Sequence, residues 1–141
     1  MKPTSLIDAS VALTWFIASE DTAAGLALLE AHRVRAPDIL PSEIRGVLRT
    51  LAAQGELSAQ QLADMERRLS RLAIEMLPTD AHLREAFKLA QVLSEPVYAC
   101  IYLALAIALD VPLVTADRPF CMAARRCPAT ARHVRHIGQA A

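Results

Sequence analysis

Apolar and polar positions along the chain alternate in short blocks. Ser5-Leu6-Ile7 is an apolar run stopped by Asp8. Residues 9–17 then follow a helical spacing, with Asp8 or Ser10 placed to cap it. Residues 22–33, rich in Ala and Leu, predict a second helix. Residues 34–39 predict a short strand, where Pro37 either marks a sheet edge or ends the strand early. Pro41 suits the first turn of a helix, which runs to about Gln54 and stops at Gly55. Ser58 and Gln61 match a capping box that starts a polar helix over 58–72. Residues 73–77 predict a strand closed by Pro78, and Asp80 is placed to cap a helix running to Leu93. Pro96 precedes an apolar helix over 97–109. A turn at 110–112 leads to a strand at 113–115, a short helix through Arg126 and a last strand over 133–137. Helices alternating with short strands predict a parallel sheet covered on both faces.

Composition narrows this picture. The 141 residues are 54% hydrophobic and 21% charged, which is a globular composition. No repeat, linker or low-complexity segment interrupts them, so one domain over residues 1–141 is expected. Aromatics are only 4%, too few for a platform that stacks single-stranded nucleic acid. Gly25, Gly46, Gly55 and Gly138 are too far apart for a G-x-G-x-x-G or Walker A loop. The longest apolar run, Val97–Leu109, is too short to span a bilayer and reads as a buried helix. The N-terminus does not read as a signal peptide, because Asp8 breaks its apolar run. Three cysteines without a C-x-x-C suit a reducing cytoplasm. Cys121, Cys127, His133 and His136 follow no common zinc spacing.

Net charge is zero, but its distribution is uneven. Arg118, Arg125, Arg126, Arg132 and Arg135 lie in a C-terminal stretch that has no acid. This is either a solvated tail or a local face for phosphates. The helix at 58–72 carries Arg67, Arg68 and Arg71 against Asp64 and Glu66. It reads as a solvated face, with an RNA-backbone contact as the alternative.

Ligand sites in open parallel sheets form beyond the carboxyl ends of the strands. Asp8 ends the first predicted strand and Asp117 follows the fourth, while Glu43 lies in the first turn of the helix opened by Pro41. Read singly, each acid has an ordinary role, as an N-cap or as a partner for a helix dipole. Read together, grouped carboxylates repel unless a cation or a proton neutralises them, and oxygen ligands of this kind suit Mg²⁺ or Mn²⁺.

Four blocks carry a family resemblance: Leu6-Ile7-Asp8-Ala9-Ser10-Val11-Ala12-Leu13, Pro41-Ser42-Glu43-Ile44-Arg45-Gly46-Val47-Leu48, the stretch from Pro96 through Tyr98, Ala99 and Tyr102 to Ala106, and Leu113-Val114-Thr115-Ala116-Asp117-Arg118. In this order they resemble PIN-domain ribonucleases, in particular the VapC toxins of bacterial toxin–antitoxin pairs. The resemblance implies a three-layer α/β/α fold with a short central parallel sheet. It also implies an Mg²⁺- or Mn²⁺-dependent endoribonuclease acting on RNA, a homodimer, and an antitoxin whose tail covers the active site. By position it makes Asp8, Glu43 and Asp117 catalytic acids, with Asp8 and Asp117 as metal ligands and Thr115 in support. Arg118 and Arg126 are candidates for RNA phosphates.

The chain departs from the family at one acid. The third block usually reads Tyr-Asp-x-x-Tyr, and here the aspartate position is Ala99. Alanine supplies neither a ligand nor a base. The change is either engineered, to allow a toxic nuclease to be produced, or natural, marking a degenerate relative. Glu95 is a stand-in only if it joins the helix, and Pro96 argues that it lies outside. The competing reading is a non-catalytic binding protein that holds an antitoxin or RNA, with Trp15, Phe16 and Ile17 as groove residues or as core.

Overall fold

The computed structural model describes residues 1–139. The first apolar run forms β1 (Thr4–Ile7), and α1 (Ala9–Leu13), α2 (Thr22–Ala31) and β2 (Arg33–Pro37) follow. Next come α3 (Leu40–Ala53), α4 (Ala59–Ser70), β3 (Glu75–Leu77), α5 (Leu83–Leu93) and α6 (Val97–Leu109). The chain continues with β4 (Leu113–Thr115), α7 (Arg118–Arg126) and β5 (Val134–His136). The strands form one parallel sheet in the order β3-β2-β1-β4-β5. Helices cover it to give the α/β/α layers expected from the alternating pattern.

Strands β1 and β4 are buried along nearly their whole length because both faces of the sheet are covered. Leu6, Ile7, Leu113 and Thr115 are fully buried. Helix α6 is apolar on every side for the same reason: it packs on β1, β2 and β4 and buries every residue from Cys100 to Ala106. Among the described residues no single helix is long and apolar enough to cross a membrane. Local signals set most helix ends. Ser58 and Gln61 form both bonds of the capping box at α4, and Gly55 takes the positive φ of 79° that ends the turn after α3.

Four sequence expectations change. Helix α1 stops at Leu13 instead of reaching residue 17. From Thr14 the chain tightens into bonds three residues back, Trp15 N to Ala12 O and Phe16 N to Leu13 O. Of the two readings left open for Pro37, the early end holds and the sheet edge does not. Pro37 is the last residue of β2, which lies inside the sheet, and the pairing with β1 has already ended at Arg35. Asp80 does not cap α5; it lies within a 3₁₀ turn (Asp80–His82) and makes no cap bond. The last strand is shorter than 133–137, and His133 belongs to the turn before it, so the two histidines do not alternate along one strand. Both are buried.

Trp15 and Phe16 belong to the core, not to an open groove. The Trp15 indole donates to Gly25 O at 2.9 Å. A Cβ on Gly25 would sit 2.0 Å from Thr14 Oγ1, so only glycine allows α2 this close. Arg68 reaches over from α4, donates to Trp15 O at 2.5 Å and lies 5.0 Å from the centre of the Phe16 ring. Arg67 pairs with Asp64. Arg67 thus stays on the solvated face the sequence predicts, and only Arg68 is drawn into the fold.

Candidate active site

β1 and β4 lie side by side, with Ile7 opposite Val114, so the residues that follow them meet at the strand mouths. There the chain leaves β1 into α1 and β4 into α7. Both junctions need an oxygen to accept the free N–H groups of a first helical turn. Asp8 accepts from Val11 N at 3.2 Å, and Asp117 accepts from Phe120 N at 3.1 Å. The capping role and the site role therefore fall on the same two residues.

The Asp8 carboxylate is held on both oxygens. Ser10 Oγ donates to Oδ1 at 2.5 Å, and Thr115 Oγ1 donates to Oδ2 at 2.5 Å. Each hydroxyl is itself oriented by a backbone donor. Ala116 N donates to Ser10 Oγ at 2.8 Å, and Asp117 N donates to Thr115 Oγ1 at 3.0 Å. Both hydroxyl protons must then point at Asp8. Burial pushes the Asp8 carboxyl up from its ordinary value, and the negative charge of Asp117 adds to that. The bonds from Ser10, Thr115 and Val11 oppose the rise without cancelling it.

Glu43 reaches the site from the first turn of α3. Tyr102 Oη donates to its Oε1 at 2.5 Å. Burial, together with the nearby charges of Glu43 and Asp8, pushes the Tyr102 phenol far above its usual range, so it stays protonated and donating. Tyr102 is bonded to Glu43 and also feels the charge of Asp8. Ala99 lies three residues earlier on the same helix, which puts it on the same face. That face carries a methyl group at position 99.

The structure brings Asp8, Thr115 and Asp117 together through the Thr115 hydroxyl, and it pairs Glu43 with Tyr102, whose phenol feels the charge of Asp8. Arg118 follows Asp117 and is exposed, whereas Arg126 ends α7, about 12 Å along the helix from Arg118 at 1.5 Å per residue. Glu95 lies outside α6, and its charge acts on Cys100, whose thiol burial pushes up to about 11. Sequence reasoning missed two site residues. Ser10 was read only as a cap, although its place two residues after Asp8 lets its hydroxyl turn back on the carboxylate. Tyr102 was quoted within a motif without a role, and its spacing from Ala99 was the available signal.

The donors at the strand mouths are hard oxygens on two acids and two hydroxyls, and Asp8 is half-buried with a neighbouring negative charge. In kind this set fits Mg²⁺ or Mn²⁺. In number it is short: among the described residues no three His, Cys, Asp or Glu side chains gather closely enough to hold an ion.

Three solved structures are similar in fold. PAE2754 from Pyrobaculum aerophilum superposes with a TM-score of 0.72 at 18% identity, over 98% of this chain and 93% of that one. VapBC2 from Rickettsia felis, bound to a DNA fragment from its promoter, gives 0.61 at 14% identity over 94% and 98%. VapBC-5 from Mycobacterium tuberculosis, a member of the VapBC family of toxin–antitoxin systems, gives 0.57 at 20% identity over 94% and 96%. None of the curated proteins compared with the chain matches it in sequence. The sequence profile of the PIN domain matches residues 5–126, so the acids at the strand mouths sit on a known scaffold, and the chain belongs to the PIN domain family.

Proposed function

We propose that this chain, as one PIN domain over residues 1–141, is a metal-dependent endoribonuclease toxin of a toxin–antitoxin pair, impaired by Ala99. The observation that carries this reading is the half-buried Asp8 carboxylate, which feels the negative charge of Asp117 and is steered by two hydroxyls, with no cation among its partners in the described residues. Asp8 and Asp117 would hold Mg²⁺ or Mn²⁺. When bound, such an ion supplies a Lewis acid for a phosphodiester oxygen and lowers the pKa of a coordinated water.

The protein's own groups have separable roles in this reading. Ser10 and Thr115 orient Asp8, so its position does not depend on the ligand. Glu43, fixed by Tyr102, orients the attacking water and takes its proton. Arg118 beside Asp117 meets the RNA backbone, and Arg126 meets it further along α7. Lacking one acid of four should slow cleavage by ~10²–10³, the loss seen when a single electrostatic group is removed from other enzymes. The partners are RNA, a cognate antitoxin and a second copy of the chain, in the cytoplasm. The VapBC assemblies among the similar structures support the antitoxin.

The test compares this chain with its Ala99→Asp variant on structured RNA, with Mg²⁺ or Mn²⁺ and with EDTA. Cleavage by the variant alone, stopped by EDTA, is the expected result. Equal cleavage by both proteins, or cleavage that ignores EDTA, would overturn the reading. A second reading, a catalytically silent PIN-like protein that binds an antitoxin or RNA, draws on the missing third carboxylate near Asp8. It predicts RNA binding without cleavage even after the acid is restored.

A further inference from the structure

Ser5 is fully buried near the start of β1, and its Oγ lies 2.7 Å from His32 Nδ1. Among the described residues that hydroxyl has no other partner. A buried donor left unpaired is costly, so the Ser5 proton points at His32 and Nδ1 accepts it. The neutral imidazole then carries its own proton on Nε2. That N–H lies on the ring edge turned away from Ser5, and His32 lines a hollow of about 560 Å³ at the amino ends of the strands. Arg33 lines it too. Arg33 pairs with Thr4, which is four residues and about 13 Å along β1 from Asp8. The hollow is therefore separate from the acids at the strand mouths.

The charges around the hollow do not cancel. Its one acid, Glu75, has both oxygens taken. Oε2 meets Arg33 Nη2 at 3.0 Å and Arg35 Nε at 2.8 Å, and Oε1 meets Arg35 Nη2 at 3.3 Å. Arg35, with Arg33 behind it, holds this carboxyl below the ordinary range. Lys2 also lines the hollow and enters no ion pair among the described residues. Lys2, Arg33 and Arg35 against Glu75 leave two positive charges. The negative end of the α2 dipole opens on the same space, but it amounts to only about half a charge. The remaining walls, Leu29, Val34, Ala73 and Ile74, are apolar.

We propose that this hollow binds a phosphate monoester carried on an apolar body, as in a nucleoside monophosphate. Lys2, Arg33 and the His32 Nε2–H supply the donors. A phosphate monoester has three acceptor oxygens to meet them, where a carboxylate has two. Contacts between such cations and phosphate oxygens are the stronger, charge-assisted kind. The apolar walls take the sugar and base. The volume lies within the range of small-ligand sites, roughly 300–1,000 Å³. Two sources carry this chemistry: a free nucleotide and the 5′-phosphorylated end of an RNA. The proposal stands apart from the ribonuclease reading, because none of its residues belongs to the strand mouths.

The test is calorimetric titration of the whole chain in EDTA, so that no cation can bridge a phosphate to Asp8 and Asp117. The ligands are AMP, adenosine, inorganic phosphate, and a short RNA with and without a 5′-phosphate. AMP should bind, inorganic phosphate more weakly, and adenosine not measurably. Lys2→Gln and Arg33→Gln should each weaken AMP binding by roughly tenfold, the loss of one charge-assisted contact. Thermal melts should stay within the range of surface substitutions, because Arg35 still holds Glu75. Tighter binding of the phosphorylated RNA than of AMP supports the site and assigns it to an RNA end, and the reverse order assigns it to a free nucleotide. AMP affinity unchanged in both variants, equal binding of adenosine and AMP, or no binding of either phosphorylated ligand would overturn the proposal.

Discussion

Tyr102 donates its hydroxyl to Glu43 at 2.5 Å, and this bond fastens α6 to α3. The ring is only 2% exposed, so phenylalanine can fill the same space without the donor. Tyr102→Phe should destabilise the fold by about 1.5–3 kcal/mol, the range for a lost hydrogen bond to a carboxylate. Urea denaturation measures this as a lower midpoint with an unchanged slope. In an Ala99→Asp background the same change should also slow RNA cleavage, since Glu43 loses its orientation.

Asp8 carries the clearest pH signature. Its folded pKa lies above the unfolded value, because burial opposes the charge. The folded state therefore binds this proton more tightly. The resulting stabilisation is complete below the unfolded pKa, near 3.8, and is lost as pH rises through the raised folded value. In EDTA, Asp8→Asn should then be more stable than the parent at neutral pH, and the gap should close toward acid pH. Adding Mn²⁺ should raise the melting temperature of the parent and leave the asparagine variant unchanged.

Thr115 has no exposed surface, donates to Asp8 and accepts from Asp117 N. Thr115→Val keeps the shape but strands the buried backbone donor and one carboxylate oxygen. A loss of about 1–3 kcal/mol is expected. Thr115→Ser keeps the hydroxyl and should recover most of the Mn²⁺-induced rise in melting temperature. If serine and valine behave alike in the Mn²⁺ titration, the hydroxyl does not orient the site.

Arg68 is exposed at its surface yet tied to the core at its tip, through Trp15 O and the Phe16 ring. Arg68→Ala should cost about 1 kcal/mol by thermal denaturation, from a lost hydrogen bond and a cation–π contact. Arg71→Ala, one residue past the end of α4, should change the midpoint by no more than ordinary surface substitutions do.

Elements with a local chemical cause were legible in the sequence. The capping box of Ser58 and Gln61, the stop at Gly55 and the span Val97–Leu109 between Pro96 and Asp110 all appear where the residues predict them. Features set by distant partners were not. Pro37 left an edge strand and an early strand end both open, because its own sequence cannot reveal that β1 stops pairing two residues earlier. Helix α1 ends at Leu13 because Trp15 finds its acceptor on Gly25 in another helix. At the site, the strand ends located Asp8 and Asp117. The inward turn of Ser10 and the reach of Tyr102 to Glu43 depend on contacts that no spacing rule encodes.

The sheet order also sets when the carboxylate pair comes into being. β1 is made first, yet its partner on the Asp117 side is β4, more than a hundred residues later in the chain. Pairings this distant form late in folding, and domains emerge from the ribosome N-terminal end first. A nascent chain that has released β1, β2 and β3 already holds Asp8 and Glu43 but has neither Thr115 nor Asp117 to complete the pair. The centre is therefore absent from every product that terminates before Asp117, and its assembly is timed by the ribosome's arrival at the last quarter of the message.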